Sequence, residues 1–338
     1  MNERVLLPTF AVAAMGAAAL LATHDALGQR RADGAPRAAA GWTPPRTVWG
    51  DPDIQGLWPS GDWRGVPLQR AEHLGTRNVL TPDEFAERER QAAAEAAADS
   101  EEFASGDGTI NNTPPSYWQD RGTPKTQASL IVDPPNGRLP PRTTAVEQRI
   151  AARAAARQGR GPADSWTDRS LYERCISRGM MNFLPTLYNN GNEILQAPGY
   201  VVIRHEMINE TRIVPITSNP FSDIRTYMGE SRGRWEGDTL VVETTNYLTE
   251  RTVIGGAPVS DALRVTERFT RTGEQTLRYS ATVDDPQTWE QPWTVSFDLA
   301  ADPQYPLIEY ACHEGNYALV NILKGARAEE AAAERADE

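Results

Sequence analysis

Two cysteines in 338 residues are too few for a disulfide-built fold, and a chain of this length can bury a core without such scaffolding. Positive charge is also scarce. The 34 Lys and Arg stand against 46 Asp and Glu, the net charge is -12 and the isoelectric point is near 5.0, so phosphate backbones and anionic headgroups are repelled and nucleic acid is excluded as a partner. The acidic excess is local: residues 81–107 hold nine acids against two bases and residues 325–338 five against two, which reads as a solvated helix and tail.

Histidine is nearly as rare as cysteine. Of four, His24 falls in the leader described below, leaving His73, His205 and His313. The pairs His205-Glu206 and His313-Glu314 lack the second histidine of a zinc-protease helix, since Asn209 and Tyr317 occupy that place. Cys312 and His313 are neighbours and would point to opposite faces of a strand, so they do not share an ion. Haem-attachment, phosphate-loop and dinucleotide patterns are absent as well, so neither a metal nor a cofactor is expected.

The long apolar run is confined to the start. Arg4 precedes Val5 to Ala22, and Ala26-Leu27-Gly28 supplies the small residues of a cleavage site, so residues 1–28 read as an export signal. A periplasmic or secreted chain without stable membrane insertion follows from that reading. In an oxidising compartment an even pair of cysteines is expected to bond, which makes Cys175–Cys312 the predicted disulfide.

Residues 29–184 are Pro-, Gly- and Trp-rich with helical insertions. Thr81-Pro82-Asp83-Glu84 opens a helix to about Ala98, Thr144-Ala145-Val146-Glu147 a second ending by Gly159, and Ser170-Leu171-Tyr172-Glu173 a short third carrying Cys175. Ser129 to Asp133 is a short strand before a Pro-Pro-Asn-Gly turn. From 185 to 324 apolar residues recur with period two. The predicted strands are Ile194–Gln196, Tyr200–Met207, Thr211–Ile216, Thr239–Asn246, Leu263–Thr270, Thr276–Val283, Trp293–Leu299 and Leu307–His313. Their connections are too short for crossover helices. The expected fold is therefore mainly β, an antiparallel up-and-down barrel of lipocalin-like type behind a helical and extended N-terminal region, with a β-sandwich as the alternative. Residues 325–338 read as a polar C-terminal tail, helical or frayed.

The strings ERCISRGM, APGYVVI, ESRGRWEGDTLVVETTNY and EYACHEGNY, spread over roughly residues 49–330, resemble a widespread family of exported bacterial proteins. The resemblance implies that the four segments belong to one domain and carries no activity with it.

Charges that interrupt apolar faces point to a site. Glu267 shares a face with Leu263, Val265 and Phe269, His205 shares one with Val201 and Ile203, and Glu309 shares one with His313. A carboxylate and an imidazole turned inward are the minimum equipment for acid/base catalysis. Glu267 or Glu206 is the expected proton-transfer group, His313 its partner, and Arg212 or Arg178 an electrostatic clamp. His205, Trp235, Asn246, Trp293 and Tyr310 are expected to bind a small apolar or aromatic molecule. The function these residues suggest is an exported, cofactor-independent lyase, isomerase or hydrolase, or else a periplasmic carrier using the same cavity. Gly229-Glu230-Ser231-Arg232-Gly233 matches a hydrolase nucleophile elbow only in spacing, because no helix follows the serine.

Overall fold

The computed structural model describes residues 42–99, 119–179, 181–250 and 252–337; the predicted export signal lies outside them. Among these residues there are twelve short strands and three α-helices. Strand β1 (Gly56–Leu57) pairs antiparallel with β3 (Asn192–Ala197), followed by β4 (Tyr200–His205) and β5 (Glu210–Pro215), to make a four-stranded sheet. A six-stranded sheet runs in the order β2 (Ile131–Asp133), β12 (Trp293–Ala300), β11 (Thr276–Asp284), β10 (Arg264–Gly273), β7 (Thr239–Thr245) and β6 (Glu230–Glu236). Strands β8 (Val253–Ile254) and β9 (Ala257–Pro258) form a separate hairpin.

Period-two alternation does what it predicts. On β11 Leu277, Tyr279, Ala281 and Val283 are buried, and on β12 Trp293, Val295, Phe297 and Leu299 are. Together with Ile194, Ile203 and Val214 they make one core shared by both sheets. The sheets meet where Ile216 bridges Gly233 in parallel and the Thr217 amide donates to the Gly233 carbonyl at 3.0 Å. Gly233 is required there, since a Cβ would come within 2.7 Å of Ile216 Cδ1 and 3.0 Å of Val214 Cγ1. Elsewhere the strand ladders do not close into a barrel among the described residues.

Helix α1 (Pro82–Asp99) begins with the reciprocal cap expected of its sequence: the Glu84 amide donates to Thr81 Oγ1 at 3.3 Å, and Glu84 accepts from the Thr81 amide at 2.8 Å. Helix α2 (Thr144–Ala156) is capped one residue earlier than predicted, by Thr143, whose Oγ1 accepts from the Val146 amide.

Three expectations are corrected. Ser170 and Glu173 do form a capping box, yet no helix follows, because Cys175 and Gly179 both take positive φ and the chain turns instead. Leu307 to His313 is not a strand. It belongs to an irregular segment held by other means, and the chain then enters helix α3 (Tyr317–Asp337), which absorbs the predicted tail. Strand β6 was absent from the prediction because its inward residues include Ser231 and Gly233, which give no apolar alternation.

The Cys175–Cys312 disulfide is present, with Cα atoms 5.7 Å apart and the partners separated by 137 positions in the sequence. It ties the 171–182 segment to the irregular one rather than to a last strand. A crosslink over so long a loop restricts the unfolded chain strongly, so replacing both cysteines by alanine is expected to destabilise the protein by about 2–5 kcal/mol in urea denaturation. Peptide mapping without reductant should recover the bonded pair from the native protein.

Candidate functional site

The two sheets converge on a partly open pocket with a cavity volume of about 20 Å³, lined by Gly179, Met181, Asn182, His205, Glu210, Arg212, Met228, Tyr247, Val265 and Glu267. Register explains the assembly. His205 on β4 lies opposite Asn192 on β3 and Glu210 on β5, so the three side chains share one sheet face as a row. Arg212, two residues along β5 from Glu210, points the same way and reaches Glu267 on β10 of the other sheet.

Arg212 and Glu267 form a bidentate ion pair: one guanidinium nitrogen donates to Oε2, and the other to Oε1 at 3.1 Å. The Tyr279 hydroxyl donates to Oε1 at 3.0 Å. Glu267 is 1% exposed. Burial disfavours the charged guanidinium, but the carboxylate opposite outweighs it and holds Arg212 above its ordinary pKa. Tyr279 is pushed well up by burial and by the Glu267 charge, so it stays a hydrogen-bond donor.

His205 is 2% exposed, and its Nδ1 lies 2.6 Å from Asn192 Oδ1. The Asn192 amide cannot be turned round, because its Nδ2 donates to the carbonyls of Trp58 and Asn190, each at 3.0 Å. Oδ1 therefore accepts, and Nδ1 carries the hydrogen. Burial, with the charges of Arg212 and Arg178 behind it, lowers the His205 pKa well below its ordinary value, so the ring is neutral near pH 7. Phe183 packs edge-on against the ring at 5.0 Å. These constraints leave Nε2 with a free lone pair. It is buried, has no hydrogen-bond partner, and belongs to a residue that lines the pocket.

Beside it, Glu210 is raised by burial against the hydrogen bonds that oppose the shift, from Ser177, from the Arg178 amide at 3.3 Å and from Asn182 Nδ2. Tyr247 is likewise raised by burial.

Of the residues singled out in the sequence, the pocket unites Glu267, Arg212 and His205. Arg178 adjoins it through its own amide and through Gly179. Glu206 is buried elsewhere and fully engaged: Asn189 Nδ2 (2.9 Å), the Gly191 amide (3.1 Å), the Tyr305 hydroxyl (2.8 Å) and the Ile308 amide (3.1 Å) all donate to it. His313 is exposed in the irregular segment and does not share the environment of Glu267. Tyr310 meets the Tyr172 hydroxyl at 3.4 Å outside the pocket, Trp293 is core against Trp289, and Trp235 packs on the core. Asn246 binds the Ser222 carbonyl and Glu230, next to Tyr247 of the pocket. Ser231 lies within β6 with its hydroxyl on Thr244 Oγ1 at 2.9 Å, so no nucleophile elbow is built. Asn192 belongs to the Asn-rich loop 188–192, whose amides the sequence offers as donors at a barrel mouth; Glu210, Asn182, Tyr247 and Tyr279 carry no such signal as binding residues. Glu210 had a usable signal of another kind, since it alternates with Arg212 and Val214 along β5.

No group of three His, Cys, Asp or Glu among the described residues is placed to hold a metal ion. Compared with protein-family models, curated proteins and solved structures, the chain matches none.

Two outcomes follow. Glu267→Leu and Arg212→Met should each cost about 3–5 kcal/mol in urea denaturation, because each strands a buried charge, whereas the double variant should recover most of that loss. Simple addition of the two single effects would show that the pair is not coupled. The second concerns pH. The folded pKa of His205 lies below its unfolded value of 6.5, so its contribution to stability is full above that pH and declines as pH falls beneath it. Glu210 has the opposite sign, contributing below the ordinary glutamate range and losing that contribution as pH rises through its raised folded value. Relative to His205→Gln, the wild type should therefore lose stability between about pH 6.5 and pH 5; parallel pH curves would refute the assignment.

Proposed function

We propose that the protein is an exported enzyme performing cofactor-independent acid/base chemistry on a small organic molecule, with His205 rather than His313 as its base. One observation carries this reading: a neutral, buried imidazole whose Nδ1–H is fixed by Asn192 and whose Nε2 lone pair has no partner while the residue lines a pocket. Burial first keeps His205 unprotonated and Arg212 reinforces it as a fixed positive charge, while Glu267 anchors Arg212 instead of moving a proton.

Export is supported by the leader-like residues 1–28 and by the disulfide, and no helix among the described residues is long and apolar enough to cross a membrane. We read the two sheets as an open barrel rather than a sandwich. The strand order β3-β4-β5, carried across the Ile216–Gly233 bridge to β6 and β7 and on through β10, β11 and β12, follows the sequence as an up-and-down meander does.

The small volume weighs on enzyme and carrier alike. A site that encloses a whole small molecule, in either, measures about 300 Å³ or more. The pocket takes in one end only, so an apolar or aromatic substrate would rest its body outside, beside the half-buried Met228.

The test is kinetic. Against a panel of small esters, lactones and enolisable ketones, His205→Gln is expected to lower kcat/KM at least about 100-fold for whatever the wild type turns over, with thermal unfolding confirming that the variant is folded. His313→Ala should retain activity. Retention by His205→Gln, or loss in His313→Ala, would overturn the assignment.

A further inference from the structure

Three tyrosine hydroxyls meet near the chain segment that walls the pocket. Tyr172 Oη lies 3.2 Å from Tyr188 Oη, 3.4 Å from Tyr310 Oη and 3.7 Å from Met207 Sδ. The Tyr188 and Tyr310 rings run nearly parallel, 8° apart in plane with centroids 6.4 Å apart. Burial raises the pKa of both, so they keep their protons at neutral pH. All three residues are only half-buried. Hydroxyl protons rotate, so such a cluster can turn O–H groups toward a ligand without moving its rings.

The charge beside them is Arg178. Other arginines of this segment are engaged, Arg169 with Glu173 and Arg174 over the Trp166 ring at 4.7 Å. The Arg178 guanidinium has neither an ion pair nor a hydrogen bond among the described residues, and Glu210 takes its backbone amide at 3.3 Å instead. Burial holds the guanidinium below its ordinary pKa, against the opposing influence of Tyr172, Tyr188, Tyr310 and Glu210, all within electrostatic reach. Part of the side chain still reaches solvent, so a ligand has access. A cation that the protein desolvates without pairing, next to hydroxyls able to donate, is a donor set suited to an oxyanion.

We infer that Arg178 and the hydroxyls of Tyr172, Tyr188 and Tyr310 form a binding subsite for the carboxylate of a small organic acid. A carboxylate fits better than a phosphate. The guanidinium fork matches its two oxygens, and its single negative charge equals the one positive charge that the subsite holds. The disulfide helps to assemble the subsite: Tyr172 and Arg178 flank Cys175, and Tyr310 comes just before Cys312, so the Cys175–Cys312 bond ties two of its three chain segments together. Tyr188 comes from the loop ahead of β3. The subsite stands on binding alone and does not depend on His205 being a base.

The experiment is isothermal titration calorimetry on the full chain with its disulfide intact, using benzoate, its uncharged counterpart benzamide, and inorganic phosphate. Benzoate is expected to bind with a Kd of about 1 mM or tighter, and the other two at least about tenfold more weakly. Arg178→Gln should weaken benzoate at least about tenfold, and Arg178→Lys less, because it keeps the charge and loses the fork. Tyr310→Phe, which removes one hydroxyl and keeps the ring, should weaken it about threefold. Thermal unfolding at the wild-type temperature is expected for all three variants and shows that they are folded. Opening the disulfide with dithiothreitol, verified by mass, should weaken benzoate as well. No benzoate binding by the wild type, benzamide binding as tightly, or an affinity untouched by Arg178→Gln would overturn the subsite. Phosphate binding as tightly as benzoate would overturn the choice of carboxylate, and an affinity unchanged after reduction would overturn the part given to the disulfide.

Discussion

The Arg212–Glu267 pair joins two sheets that backbone hydrogen bonding barely connects. Apart from the short Ile216–Gly233 seam, the four-stranded and six-stranded sheets are held by core packing, which is strong and without direction. A forked guanidinium on a carboxylate has direction, and with the Tyr279 hydroxyl on the same carboxylate it fixes how β5 faces β10. Such a pair contributes little net stability after the desolvation of both ions. Its value lies in geometry and in the field it leaves behind. The positive end lies toward His205, where it opposes protonation, and the negative end toward Tyr279, where it opposes ionisation.

The histidine owes its neutral state first to burial and then to that field, and its tautomer to a further constraint that is independent of charge. A neutral imidazole has two tautomers of similar energy, and the surroundings must select one. Here the selection passes through three elements: Trp58 and Asn190 orient the Asn192 amide, the amide orients the ring, and the strand register puts ring and amide side by side. Each link is a hydrogen bond to a group with no alternative orientation, so a loop far from the pocket in sequence determines which nitrogen is basic.

Much of this architecture was legible in the sequence, and the reason is period two. Wherever a strand buries apolar residues on one face, as β10, β11 and β12 do, the alternation reports both the element and its inward side, and it exposed Glu267 and His205 as polar residues on apolar faces. It failed where the inward face is made of small or polar groups. Strand β6 is inward with Ser231 and Gly233, and the start of β5 is inward with Glu210, so neither carries an apolar mark. It failed in the opposite sense at Leu307–His313, where alternation exists without a ladder: the Ile308 amide and the Tyr305 hydroxyl are both taken by Glu206, and the backbone has no strand to pair with. That carboxylate, expected to transfer protons, is instead the acceptor that holds the irregular segment in place. The pairing of His313 with Glu267 failed with the strand that was to carry it.

The disulfide has a consequence in time as well as in space. The segment 171–182 brings Gly179, Met181 and Asn182 to the pocket wall and supplies the Arg178 amide to Glu210, and that segment has no helix or strand of its own to hold it in place. Cys175 secures it by bonding to Cys312. In a chain whose thiols are still reduced the wall keeps its hydrogen bonds and the core packing of Met181, and lacks its covalent tie. On the proposed export reading, the pocket wall gains its covalent anchor only after the chain reaches an oxidising environment.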